Sequence, residues 1–247
     1  MHGTRRPDPP LLEVTDLHVA YGKAHVVHGV SFSVRAGEFV VMLGRNGAGK
    51  STILHALSGL VPKRAGRVTF DGADISRAAP KDIVRAGMVQ VLEGHRVFTS
   101  LTVEDNLLVG TYARSAPDLR AKLDKIYEDF PEIAEKRHQQ ASRLSGGQQQ
   151  ILAVAQGMIA DPRLLILDEP SGGLAPIVVD RILDVASRLA RDGVAILLVE
   201  QLVEKALRHA SYGYLLETGA IGGEGTTAEL QDSALLRRIY LGGAEAA

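Results

Sequence analysis

Residues 39–58 constrain the fold of this chain more than any other stretch. Five apolar residues, Phe39-Val40-Val41-Met42-Leu43, run directly into Gly44-Arg45-Asn46-Gly47-Ala48-Gly49-Lys50-Ser51-Thr52. An apolar run closed by glycine predicts a buried strand over 39–43, and residues 51–58 predict the helix after it. The glycines let successive backbone N–H groups turn inward, so the loop forms a nest for an anion without side chains in the way. A helix starting near Lys50 adds the positive end of its dipole, equivalent to about half a charge. Lys50 is spaced to reach the β- and γ-phosphates of a nucleotide, and the Ser51 hydroxyl to ligate Mg²⁺. A glycine-rich turn with no ligand would account for the glycines alone, but it has no use for the lysine and serine in register.

Strand and helix signals alternate around this loop in the α/β manner. Strands are expected at 12–19, 30–34, 67–70, 88–92, 164–167 and 194–199, and helices at 80–85, 176–191 and 203–210. Residues 37–38 and 71–72 read as turns. Glycines at 219, 222, 223 and 225 mark a final hairpin before a short terminal helix. From Thr102 to Ala160 strand signals vanish. Leu119, Leu123, Ile126, Tyr127 and Phe130 recur at helical spacing, and residues 148–159 do likewise. The expectation is a core at about 11–93 and 161–247 with a helical subdomain inserted at about 94–160. Residues 1–10, with two arginines and three prolines, read as a flexible leader.

Two further motifs stand in order behind the loop. Leu144-Ser145-Gly146-Gly147-Gln148 precedes an amphipathic helix, which makes a second helix N-terminus with a hydroxyl and open N–H groups. Leu164-Leu165-Ile166-Leu167 then buries a strand that delivers Asp168 and Glu169 at its carboxyl end. At a strand end the backbone turns, so both acids can approach bound phosphates. With all three motifs in this order, the chain resembles the nucleotide-binding subunit of an ABC transporter across nearly its whole length.

That resemblance implies roles residue by residue. ATP is held by Tyr21, stacked on the adenine, and by Gly44, Arg45, Asn46, Gly47, Ala48, Gly49, Lys50, Ser51 and Thr52. Mg²⁺ is held by Ser51, Asp168 and Glu93. Glu169 is the general base that polarises the attacking water. The switch joining core and helical subdomain usually carries glutamine; Gln90 is a candidate, but the register of Val91-Leu92-Glu93-Gly94 puts Glu93 there. The family's switch histidine is replaced by Gln201, which can donate a hydrogen bond to phosphate but cannot become cationic. Ser145, Gly146, Gly147 and Gln148 act in trans, closing on the γ-phosphate of a second subunit in a head-to-tail dimer. Residues 171–176 resemble the loop that crosses this interface.

Composition narrows the class. Apolar residues are 45% and aromatics 4%, the chain has no cysteine, and its net charge is −1. These exclude a disulfide scaffold and a thiolate metal site, and give no global attraction to nucleic acid or anionic lipid. The longest apolar run, 194–199, is too short to span a bilayer, and the N-terminus has no secretory pattern. The histidines at 18, 25, 28, 55, 95 and 138 form no ligand spacing.

One cassette, with no tandem copy, coiled-coil insertion or zinc cysteines, points to a subunit serving separate membrane permeases at the cytoplasmic face of the membrane. Residues 93–98 and 101–107 match the region that receives the permease. Glu93, Val199-Glu200-Gln201, Gly173-Leu174-Ala175-Pro176 and Tyr240-Leu241-Gly242-Gly243 resemble the second ATPase of high-affinity branched-chain amino acid importers. That type pairs with a sister ATPase or with itself, and works indirectly with a substrate-binding protein. Relatives in this branch carry urea, amides or other amino acids. A soluble ABC ATPase acting on a ribosome or DNA remains the other reading; a simple P-loop kinase has no use for the 144–148 motif.

Overall fold

The computed structural model describes residues 9–94, 96–112, 118–234 and 236–237. Strand β1 (Leu12–Tyr21) folds back through the Gly22-Lys23 turn onto β2 (Ala24–Val34), with Tyr21 facing Ala24 across the hairpin. The alternating burial of β1 suits a half-covered antiparallel pair. The chain then passes into β3 (Phe39–Gly44), buried at every position, and on to helix α1 (Lys50–Leu57). Next come β4 (Lys63–Phe70) and the two-residue β5 (Ala73–Asp74), joined at Asp71-Gly72, both with positive φ. Together β2-β1-β4-β5 make one antiparallel sheet.

Helix α2 (Pro80–Ala86) leads to β6 (Met88–Val91). Residues expected to form the helical insertion hold α3 (Val103–Gly110), α4 (Leu119–Asp129), α5 (Pro131–Ala134), a 3₁₀ turn and α6 (Gly146–Ile159). The core then runs β7 (Leu164–Asp168), α7 (Pro176–Arg191), β8 (Ala195–Glu200) and α8 (Val203–His209). Hairpin β9 (Tyr212–Glu217) and β10 (Ala220–Thr226) precedes α9 (Thr227–Gln231). The second sheet has order β10-β9-β3-β8-β7-β6, parallel except at β10.

Strands β3, β7 and β8 are buried throughout because helices cover one face and the antiparallel sheet with α1 the other. Their side chains divide with the two-residue period of a strand. Val41, Leu43, Leu165, Leu167, Ile196 and Leu198 join the helical side, while Val40, Met42, Leu164, Ile166 and Leu197 join the other.

The expected strand at 30–34 starts six positions earlier, at Ala24, because hairpin pairing carries it through exposed residues such as His28 that give no apolar signal. Likewise β4 begins at Lys63 rather than 67, its first five residues being polar or small and mostly exposed. The leader through Asp8, His95 and the Tyr240–Gly243 sequence lie outside the described residues. No helix among the described residues is long and apolar enough to cross a membrane.

Candidate functional site

At the carboxyl end of the parallel strands, β3 passes into α1 through the glycine loop. Gly47 has φ 80° and Gly49 has φ 103°, conformations that a side chain would strain. A Cβ on Gly49 would also lie 3.3 Å from the Val26 carbonyl. The loop lines a cleft of about 380 Å³ with Val26, Glu93, Glu169 and Gln201. Separate parts of the chain therefore converge on one place.

Lys50 is 3% exposed and opens α1. Its ammonium donates to the carbonyls of Gly44 (2.9 Å) and Arg45 (3.2 Å) and pairs with Glu169 Oε1 at 3.2 Å. The ammonium is thus fully engaged, at the mouth of the loop. Ser51 donates through Oγ to Asp168 Oδ1 at 3.2 Å. Asn46 and Thr52 line the cleft; Gly44 and Ala48 are buried and Arg45 is exposed.

Asp168 ends β7 and is almost wholly buried. Its carboxyl is pushed up to about 6, chiefly by burial, with the charges of Glu169 and Glu93 adding and Ser51 and Lys50 opposing. Glu169 follows with φ 44°, a left-handed conformation rare for a residue with a side chain. That kink costs of order 1 kcal/mol, and it lets both neighbouring acids face the loop. Gln201 donates through Nε2 to Glu169 Oε2. Gln201 thus lies beside Glu169 rather than apart from it.

Glu93, not Gln90, reaches the cleft. Gln90 sits within β6, where its Oε1 accepts from Ser58 Oγ at 2.6 Å. For a metal, the oxygen set of Ser51, Asp168 and Glu93 suits a hard divalent cation. No three carboxylates or histidines among the described residues could hold a metal unaided. With one hydroxyl and two carboxylates, the set fits an ion that draws further ligands from phosphate and water, as Mg²⁺ does.

Tyr21, expected to stack on adenine, and Ser145–Gln148, expected to act in trans, stand apart from this cleft's lining. Tyr21 ends β1, half exposed, and does not line the cleft. Ser145 caps α6: its Oγ accepts from the Gln148 backbone N–H at 3.3 Å, and its own N–H donates to Gln148 Oε1 at 3.1 Å. Lys136 Nζ also donates to that oxygen, at 2.9 Å. Ser145 and Gly146 are exposed, and Gly147 packs toward Val178. The sequence placed Glu200 in the Val199-Glu200-Gln201 motif without giving it a role of its own; it is a carboxylate buried at the end of β8. The one sign of such a role in the sequence is an acid closing an apolar run.

The ABC transporter family model matches residues 27–172, more than half of the chain and all three motifs. The chain belongs to the ABC transporter family. This ABC protein is 40% identical to the high-affinity branched-chain amino acid transport ATP-binding protein BraG of Pseudomonas aeruginosa, covering 94% of this chain and 100% of that one. It is 32% identical to the lipopolysaccharide export system ATP-binding protein LptB of Escherichia coli, covering 94% and 97%. A solved ATP-binding subunit of an ABC transporter superposes with a TM-score of 0.84 at 26% identity, covering 94% and 98%. The fold is that of the P-loop NTPase cassette, and the protein is an ATP-binding ATPase.

Proposed function

We propose that this ATPase drives uptake of branched-chain or related amino acids through separate permease subunits. The observation that carries this reading is the 40% identity to BraG along that protein's entire length, against 32% to LptB. A groove of about 590 Å³ supports a permease contact. It is lined by Leu101, Leu108, Val109 and Tyr112, of which Leu108, Val109 and Tyr112 are exposed, Tyr112 at 95%. The subunit is then peripheral, at the cytoplasmic face of the membrane, with a substrate-binding protein acting indirectly and no nucleic acid involved.

The chemistry follows from the cleft. The loop N–H groups and Lys50 receive the ATP phosphates, one phosphate oxygen replacing a present partner of the lysine. Mg²⁺ held by Ser51, Asp168 and Glu93 would neutralise charge on the phosphate oxygens. Glu169 accepts a hydrogen bond from the attacking water and polarises it toward the γ-phosphate, while the Gln201 amide holds the carboxylate and donates to the phosphate. Tyr21 stacks on adenine. Exposed Ser145 and Gly146, with Gly147 and Gln148, close on the phosphate of a second cassette, either a sister ATPase or another copy.

The test is gentle affinity purification of the chain from detergent-solubilised membranes of its own host, with partners identified by mass spectrometry. Recovery of two polytopic permeases and a second ATPase supports the importer. Recovery of lipid-export components would move the reading toward LptB, and recovery of only ribosomal or DNA-associated proteins would discard transport.

A further inference from the structure

We propose that Glu200 is a positioning residue for ATP hydrolysis, its buried carboxylate clamping the loop that leaves Glu169 to the turn that carries Gln201. This rests on Glu169 and Gln201 acting in the reaction. Glu200 is 2% exposed. Its Oε1 accepts from the Ser171 backbone N–H at 3.0 Å. Its Oε2 accepts from Ser171 Oγ at 2.8 Å, the Gln201 N–H at 3.0 Å and the Leu202 N–H at 3.4 Å. A carboxylate taken out of water must be met by donors, and here all four are neutral groups on two segments.

Those two segments carry the reacting pair. The Glu169 N–H donates to the Val199 carbonyl at 2.9 Å, and the Gly172 N–H returns to the Glu169 carbonyl at 3.3 Å. Gln201 Nε2 donates to Glu169 Oε2. Ser171, Glu200, Gln201 and Glu169 thus close a ring in which Glu200 is the one member that touches both backbones by side chain. A shift of that loop by a fraction of an ångström moves the Glu169 carboxylate relative to the water it must polarise.

An amide cannot replace this carboxylate. Glutamine at 200 can keep its oxygen toward the three donors at Oε2, but its NH₂ then meets the Ser171 N–H, donor against donor. Glu200→Gln and Ser171→Ala therefore loosen the same clamp from opposite sides. Steady-state ATP hydrolysis by the full chain is measured for both, for the double variant and for Glu169→Gln, with thermal melting to monitor folding. The expected result is kcat lowered about tenfold by Glu200→Gln with KM for ATP within about twofold, and a double variant no slower than Glu200→Gln. Turnover by Glu200→Gln within about twofold of the unaltered chain overturns the proposal, as do effects of the two changes that simply multiply. If Glu200→Gln does not fold, Ser171→Ala decides alone: reduced kcat supports the clamp and undiminished kcat refutes it. Inactive Glu169→Gln beside active Glu200→Gln condemns only the clamp; active Glu169→Gln condemns the site assignment beneath it.

Discussion

Lys50 is held by two loop carbonyls and by Glu169, so nucleotide binding exchanges one of these contacts for phosphate rather than filling an idle donor. Replacing Lys50 with alanine removes charge-assisted bonds worth roughly 1.5–3 kcal/mol each. Equilibrium ATP titration should therefore show affinity reduced by about tenfold or more. Asp168 makes a different prediction. Its carboxyl titrates at about 6 in the folded chain, against an ordinary value of 3.8. Between those values the folded state binds more protons than the unfolded one, so stability falls as pH rises through this window. Below the window both states are protonated, and above it the loss, of order 3 kcal/mol, persists. With divalent ions chelated, Asp168→Asn should match the unaltered chain in melting temperature near the lower end of that window and exceed it well above the upper end. Parallel curves would contradict the burial cost. The sequence displayed each of these residues in a motif, but not their distances: Gln201 lies against Glu169 only because β7 and β8 are neighbours.

Elements position the site through a few buried polar contacts. Asn106, fully buried on α3, donates to the carbonyls of Phe98 (2.9 Å) and Thr102 (2.8 Å) and accepts from the Phe98 N–H (2.8 Å) and Gln156 Nε2 (3.2 Å). It shapes the 98–102 segment beside the proposed permease groove and ties it to α6. Asn106→Ala strands several buried partners and should lower stability by about 2–4 kcal/mol, read as a lower denaturant midpoint. Gly110→Ala tests the same contact sterically, since its Cβ would come 2.6 Å from the Gln156 carbonyl. A cost of about 1–3 kcal/mol is expected there. At this scale the sequence was legible where periodicity is strong: α7 spans the expected 176–191, and β3 follows its apolar run. It was poorly legible for exposed strand ends, for β5 and for α3, where pairing and packing rather than local pattern decide the structure.

Across the whole molecule, the two sheets bring the glycine loop, Glu169, Glu93 and Gln201 to one cleft, with Asp168 bonded to Ser51 behind it, while Ser145–Gln148 caps a helix outside its lining. An ATPase with a second exposed helix N-terminus of this kind is explained if a partner cassette supplies the missing wall. The order of motifs announced the family, but the separation of the glycine loop from the Ser145–Gln148 helix end is a property of the fold. A site shared between two cassettes is the central claim, and size-exclusion chromatography of Glu169→Gln and Lys50→Ala with ATP tests it most directly. If Glu169 is the base, Glu169→Gln holds ATP without hydrolysing it and should elute as a dimer of this 26.4 kDa chain, and Lys50→Ala as a monomer. Identical elution of the two variants would contradict an ATP-bridged site between copies of this chain.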